Sequence, residues 1–381
     1  MFAEQYAGRR VFITGHTGFK GSWLTAWLLE LGAEIAGYSL DAPSEPSGFA
    51  ALGLEKRIRH IPGDVRDRRD LAEAMAAFRP EIVFHMAAQA LVRPSYEDPA
   101  LTFESNAMGT LNLLEAVRCT PEVEAVVCIT SDKCYRNDEW VWGYREGDHL
   151  GGEDPYSASK ACAEIIAHSY FVSFFKEAPR MATVRAGNVI GGGDWATDRI
   201  VPDCARAWAA KQPVVIRSPA ATRPWQHVLE PLSGYLWLGA RLLSGKSDIE
   251  DGLPLDKEAF NFGPAADVNA TVAQVADALA EHWPGFTASM DRCAQAGKKE
   301  CTLLKLCCDK ALAHLGWKAT LRFEETIALT AAWYREYYSA PRAQSGAVLP
   351  NSNAVDMYAV TARQIADYSA KAAQRGLPWA R

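Results

Sequence analysis

From residue 9 to about residue 190 the chain alternates short β-branched runs with stretches whose apolar positions recur at helical spacing. RRVFITG (9–15) reads as a strand buried on both faces, and SWLTAWLLELG (22–32) as an amphipathic helix that stops at Gly32. EIAGYSL (34–40), RIRHIPGDV (57–65), EIVFHMAA (81–88), EAVVCIT (124–130) and RMATVRAGNVIG (180–191) continue the strand series. Helical patterns fall between them at 70–78, 106–118 and 156–171. Strands alternating with helices at this spacing predict a Rossmann-type, doubly wound parallel α/β sheet.

Beyond residue 190 the pattern becomes irregular, with Gly, Pro and Trp clustered at 191–195 and 223–225. Helices are predicted near 198–211, 230–243 and 271–283, strands at 213–217 and 258–262, and polar loops at 245–257 and 339–353. The expected organisation is a dinucleotide-binding domain at 1–187 that also receives roughly 224–262. A smaller, interleaved C-terminal substrate lobe occupies mainly 188–340, followed by a C-terminal extension at 341–381.

Composition narrows the function. The 40 basic and 46 acidic residues give a net charge of -6, which lacks the basic excess of a nucleic-acid binder. No apolar run approaches the length of a membrane span, and the N-terminus has no signal-peptide core, so a cytoplasmic protein is expected. Cys293, Cys301, Cys307 and Cys308 lie close together but lack paired C-x-x-C spacing and histidines at ligand intervals, so no metal site is expected.

Candidate chemistry begins at GHTGFKG, which follows the first strand and opens the first helix. Gly15 permits a tight turn, Gly18 lets backbone approach a pyrophosphate, and Gly21 lets the helix pack close to the sheet. His16, Thr17, Phe19 and Lys20 complete the loop. The end of the second strand, GYSLDAPSEPS, carries Ser39 where an acid often falls and Asp41 two residues later. No basic residue follows before Lys56 to neutralise a 2′-phosphate, so NAD is preferred over NADP. Asp64, beside Val65, is available to the adenine amino group or as a turn cap.

The run TSDKCY (130–135) sets a hydroxyl, a carboxylate and an amine at the end of the fifth strand. Downstream, YSASK puts Tyr156 and Lys160 on one helix face. A phenol is a weak base near its ordinary pKa, and a neighbouring ammonium together with a nicotinium ring favours the phenolate.

GHTGFKG, HMAAQ (85–89, containing Ala87, Ala88 and Gln89), Asn106, Ser131 and YSASK resemble the extended short-chain dehydrogenase/reductase superfamily. Longer stretches are similar to its CDP-glucose 4,6-dehydratase group: TSDKCYRNDEWVWGYRE (130–146), DPYSASK (154–160), RAGNVIGGGDW (185–195) and RPWQHVLEP (223–231), with LGW (315–317) adding less. The resemblance implies cofactor contacts from the glycine loop, HMAAQ and Asn106, and a nucleotide sugar as the partner. Through two helices per subunit, 106–118 and 156–171, it also implies a homodimer.

The implied reaction oxidises carbon 4 of the hexose, expels water across carbons 5 and 6, and returns the hydride to carbon 6. Tyr156 serves as the oxidation base, with Ser131 and Lys160 beside it. Asp132 is assigned as the acid and Lys133 as the base of the elimination, or the two share one proton. A lysine base must be neutral, so burial and neighbouring cations have to disfavour its charge.

On the substrate side Ser95, Asn188, Arg199, Arg217, Arg223 and His227 are the candidates, the arginines for pyrophosphate. Trp140, Trp142 and Trp195 are expected near the pocket. Competing readings are a UDP-N-acetylglucosamine 4,6-dehydratase, a 4-epimerase, which has no use for the Asp132–Lys133 pair, and a non-catalytic NAD-binding regulator. Retention of Tyr156, Lys160 and Asp132 counts against the last.

Overall fold

The computed structural model describes residues 1–216, 218–245, 254–265, 268–283, 303–339 and 355–381, with the backbone alone at 288–289. The alternating half of the sequence supplies six strands of a parallel sheet: β1 (Arg10–Thr14), β2 (Glu34–Ser39), β3 (Arg59–Pro62), β4 (Ile82–His85), β5 (Ala125–Ile129) and β6 (Arg180–Ala186). A seventh, β7 (Glu258–Phe262), returns from the irregular half to pair with β6. The order is β7-β6-β5-β4-β1-β2-β3, and every neighbouring pair is parallel.

Alternation within the strands explains why both faces are covered. Val11 and Ile13, Ile82 and Phe84, and Ala125 and Val127 point into one apolar layer. Phe12, Val83 and Val126 point into the other. The first layer packs α1 (Phe19–Glu30) and, later in the chain, α6 (Leu229–Ser244); the second packs α2 (Arg68–Phe78), α3 (Gly109–Arg118) and α4 (Pro155–Ser173). A parallel sheet connected by crossover helices demands this two-sided burial.

The chain reverses its direction across the sheet between β1 and β4, which lie side by side. The crevice at such a reversal, beyond the strands' C-terminal ends, is where this architecture binds ligands. The glycine loop leaves β1 there, and HMAAQ leaves β4.

Several expectations shift. The run 180–191 is not one strand: it breaks at Gly187–Asn188, and Val189–Ile190 pairs instead with Gln226–His227. The predicted strand at 213–217 contracts to Val214–Val215, which pairs with Ala288–Ser289. The predicted helices near 198–211 and 271–283 are α5 (Ile200–Ala209) and α7 (Val272–Glu281). Most of the predicted loops at 245–257 and 339–353 lie outside the described residues, as do Cys293 and Cys301. Among the described residues no group of side chains is arranged to hold a metal, and no helix is long and apolar enough to cross a membrane.

Two long helices were not anticipated, α8 (Phe323–Ser339) and α9 (Met357–Gln374). α9 belongs to the C-terminal extension and docks on α1. There Trp27 meets Tyr368 and Trp379 edge-on, and Trp379 stacks on Phe2 at 5.2 Å.

Candidate active site

At the sheet reversal, backbone dictates the glycines. Gly15 has φ +76°, and a Cβ there would lie 2.7 Å from the Ala87 nitrogen. A Cβ at Gly21 would stand 2.2 Å from the Gly15 carbonyl oxygen. Gly18 begins α1 with no side chain capping it, and the first turn carries no acid. The first N–H groups of α1 are therefore left for an anion, reinforced by the helix dipole. This bare cradle fits the pyrophosphate of a dinucleotide. Thr17 secures it, its hydroxyl 2.8 Å from that of Ser39 and donating to the Leu40 carbonyl at 3.0 Å.

His16 departs from its expected part. Its ring is buried beneath the loop against Gly37, 2.7 Å from a nitrogen of His60, with burial and His60 holding its pKa near 3. It offers the cradle backbone only. Lys20, half-buried at the start of α1 beside half-buried Phe19, feels the charges of Arg199, Asp132 and Lys160; burial and Arg199 lower it to about 8.

Asn106 braces the neighbouring loop. It accepts from the Gln89 N–H at 2.8 Å and donates to the Gln89 carbonyl at 3.0 Å and to Ser159 of α4 at 2.8 Å. Ala87 and Ala88 follow β4 directly, half-buried beside the glycine loop. Asp64 caps its own turn by accepting from the Arg66 N–H at 2.9 Å, and it pairs with the Arg66 guanidinium at 2.6 Å. Burial opposes its charge, but the bonds from Arg66 prevail and its pKa falls. Val65 is buried against Gly109.

The catalytic candidates converge from two elements. After β5 a short turn (Asp132–Cys134) is capped by Ser131, whose hydroxyl accepts from the Lys133 N–H at 3.3 Å and donates to Asp132 at 3.0 Å. α4 begins at Pro155 behind an Asp154 cap, placing Tyr156 and Lys160 on its buried side. Burial raises Tyr156 to about 12, while a hydrogen bond with Ser131 and the charge of Arg199 pull it down. The expected lowering by Lys160 is thus not the dominant influence from the protein. Lys160 is itself lowered to about 8 by burial, and its amine donates to the Ile129 carbonyl at 3.4 Å. Asp132, 4% exposed, is raised by burial against the pull of Lys133, which suits a group that must carry a proton. Lys133 remains half-buried.

Substrate candidates divide. Arg199 pairs with Asp194 at 3.0 Å and lies near enough to influence both Tyr156 and Lys20. Asn188 is half-buried in the break itself, Arg223 is half-buried on Thr222–Arg223, which pairs with Ala270–Thr271, and Arg217 lies outside the described residues. Ser95 is fully buried; it donates to the Val92 carbonyl at 2.6 Å and accepts from the Tyr156 N–H at 3.2 Å. Its place is behind Tyr156, anchoring α4, rather than against a hexose. His227 is likewise a core residue: it is fully buried edge-on to Trp23 and accepts from the Leu229 N–H at 3.3 Å.

Trp195 separates from Trp140 and Trp142, packing on Trp333, Tyr334 and Tyr337. Trp140 and Trp142 line a cavity of about 430 Å³ with Gly143, Arg145, Asp148 and Cys307; the catalytic side chains are not part of that wall.

Two contributors escaped the sequence reading. A Cβ at Gly187 would come 2.9 Å from an Asp132 carboxylate oxygen, so a bare backbone makes room for the acid. Tyr235 of α6 is fully buried, close enough to Asp132 and Tyr156 for their charges to raise its pKa after burial, and its hydroxyl has no partner among the described residues. Neither carries a motif; only tertiary structure reveals them.

A glycine cradle at the reversal of a doubly wound sheet, beside a Ser–Tyr–Lys grouping, defines a dinucleotide-dependent enzyme of the short-chain dehydrogenase/reductase class. A family model described as GDP-mannose 4,6 dehydratase matches residues 12–330, and the chain belongs to that family. It is 46% identical over 369 residues to a CDP-glucose 4,6-dehydratase of Salmonella typhimurium, covering 95% of this chain and 97% of that protein. The fold is similar to that of a Thermus thermophilus UDP-glucose 4-epimerase solved with NAD (27% identity, TM-score 0.68, 86% of this chain and 99% of that one). It is also similar in fold to a dTDP-glucose 4,6-dehydratase of Streptomyces venezuelae (22% identity, TM-score 0.69, 87% and 98%).

Proposed function

We propose that this protein is an NAD-dependent CDP-glucose 4,6-dehydratase, converting CDP-D-glucose to CDP-4-keto-6-deoxy-D-glucose and water. The observation that carries this reading is a buried carboxylic acid, Asp132, joined through Ser131 to the Tyr156 site. Oxidation alone, or epimerisation at carbon 4, leaves such an acid without work. The near full-length similarity to the Salmonella enzyme supports the cytidine nucleotide.

Bound NAD supplies a hydride acceptor for carbon 4 and a donor for carbon 6. Gly15, Gly18, Gly21 and the start of α1 hold its pyrophosphate. Tyr156 receives the proton of the 4-hydroxyl, oriented by Ser131. The carbon-4 ketone acidifies the carbon-5 hydrogen, which Lys133 removes while Asp132 protonates the departing 6-hydroxyl. Arg199 and Arg223 are the cations assigned to the nucleotide diphosphate, with Asn188 available to phosphate or sugar oxygens.

Residues 1–187 with roughly 224–262 form the dinucleotide domain in this reading, 188–340 mainly the substrate lobe, and 341–381 an extension. The subunit pairs through α3 and α4, on or beside which Met108, Ile165, Val172 and Phe174 are exposed, and it works in the cytoplasm. Incubating the protein with NAD and CDP-, UDP- or dTDP-glucose, then adding alkali, tests the assignment. A near-ultraviolet chromophore of a 4-keto-6-deoxy sugar is expected with CDP-glucose; its appearance with another nucleotide alone overturns the substrate, and its absence with all three overturns the reaction.

A further inference from the structure

Glu164 lies one helical turn beyond Lys160 on α4 and is 4% exposed. Both oxygens of its carboxylate are engaged. Arg185 of β6 donates through Nε at 2.8 Å and Nη2 at 2.9 Å, Thr183 donates at 2.8 Å, and the Thr130 hydroxyl donates as well. The second terminal nitrogen of Arg185 reaches the Tyr135 hydroxyl at 2.7 Å and the Glu146 carbonyl at 3.0 Å, and the guanidinium lies over the Tyr135 ring. Tyr135 in turn donates to Asn261 of β7 at 2.8 Å.

The placement of the two outer partners matters. Thr130 immediately precedes Ser131, and Tyr135 immediately follows Cys134. One ion pair therefore grips the Ser131–Asp132–Lys133 turn on both sides, while its carboxylate rides on the helix that carries Tyr156 and Lys160. A buried pair with this many satisfied bonds is a poor source of stability against an apolar replacement, but it fixes geometry.

We propose that Glu164 and Arg185 are positioning residues that hold the elimination pair, Asp132 and Lys133, in register with Tyr156 and Lys160. The proposal rests on the dehydratase reading. Beyond Tyr135 the grip continues into the loop that lines the tryptophan cavity. Tyr135 stacks on Tyr144 at 5.2 Å, and Tyr144 on Trp140 at 5.1 Å.

Removing Glu164 leaves a buried guanidinium unpaired and threatens folding, so the test loosens each side of the turn instead. Thr130→Val and Tyr135→Phe keep the ion pair and the ring stack. Each is expected to retain the wild-type circular dichroism spectrum and a KM for CDP-glucose within about threefold, while kcat falls about 10- to 100-fold, the scale of a sub-ångström to 1 Å misplacement. Because Asp132 and Lys133 act after the oxidation, reduced nicotinamide is expected to accumulate during single turnover, above the wild-type level. Unchanged kcat and no accumulation in both variants overturns the proposal. A matched loss of kcat without accumulation also overturns it, because oxidation then fails as much as elimination. Wild type assayed in parallel on CDP-, UDP- and dTDP-glucose separates the two readings. Turnover of a different nucleotide corrects the substrate and leaves the variant comparison decisive on that substrate. Turnover of none overturns the dehydratase reading and this proposal with it.

Discussion

Asp132 shows how one residue answers to two demands. A carboxyl group buried beside Ser131 and Gly187 holds its proton more firmly than one in water. Its folded pKa is raised, so the stability associated with it is greatest at low pH and is lost as pH rises through the folded value. Asp132→Asn is expected to raise the melting temperature at neutral pH while abolishing product formation, measured by thermal unfolding and by the alkaline chromophore. Gly187→Ala probes the same acid from outside. The new methyl group meets the far end of a flexible side chain rather than backbone, so folding is expected to survive. Because the carboxylate must move, kcat is expected to fall about 10- to 100-fold with little change in melting temperature.

At this scale the sequence shows the candidate acid, hydroxyl and phenol and conceals what packs around them. TSDK and YSASK are legible because the proposed chemistry calls for those residue types in those places. Ser95 and His227 misled because a hydroxyl or imidazole reads the same whether it faces a hexose or braces a helix. Gly187 was silent because its use is the absence of a side chain.

Among the elements, the α1–α6–α9 packing stands out. Glu230 of α6 is 1% exposed, accepts from the Thr320 N–H at 2.8 Å and the Leu321 N–H at 2.6 Å, and receives the Tyr368 hydroxyl of α9 at 2.9 Å. Burial outweighs those donors and raises its pKa from 4.5 to about 7. The sign follows from linkage: the folded state binds the proton more tightly, so stability is highest below pH about 4.5 and declines as pH rises toward about 7. A shift of this size corresponds to about 3 kcal/mol. Glu230→Gln is expected to flatten the slope of unfolding free energy between those pH values, as read by denaturant titrations.

The strands of the first half were legible because short apolar runs such as RVFIT and AVVCI recur between helical patterns at βαβ spacing. Of the two-residue strands beyond residue 190 only Val214–Val215 was foreshadowed, within the longer run 213–217, and the others hold too few side chains to show a period. α8 and α9 escaped because polar residues occupy part of their buried stripes, Thr326 and Thr330 in the first and Thr361, Gln364 and Ser369 in the second, beside Trp333 and Tyr368.

For the whole molecule, the sheet reversal gathers the glycine cradle, and β5 with α4 brings the acid, hydroxyl and phenol to its edge. The exposed Ile165 and Val172 lie on the outer side of α4, away from that site. Ile165→Glu with Val172→Glu is expected to yield monomers in sedimentation or light-scattering measurements, against dimers for the wild type; dimers in both rule out this pairing surface.

The central claim is that one site takes a hydride from carbon 4 and returns it to carbon 6 of the same sugar after water has left. CDP-glucose carrying deuterium at carbon 4 tests it directly, with the product analysed by NMR and mass spectrometry. The expected product is lighter by one water and carries the deuterium at carbon 6. Deuterium retained at carbon 4, or a product that has lost no water, would contradict it.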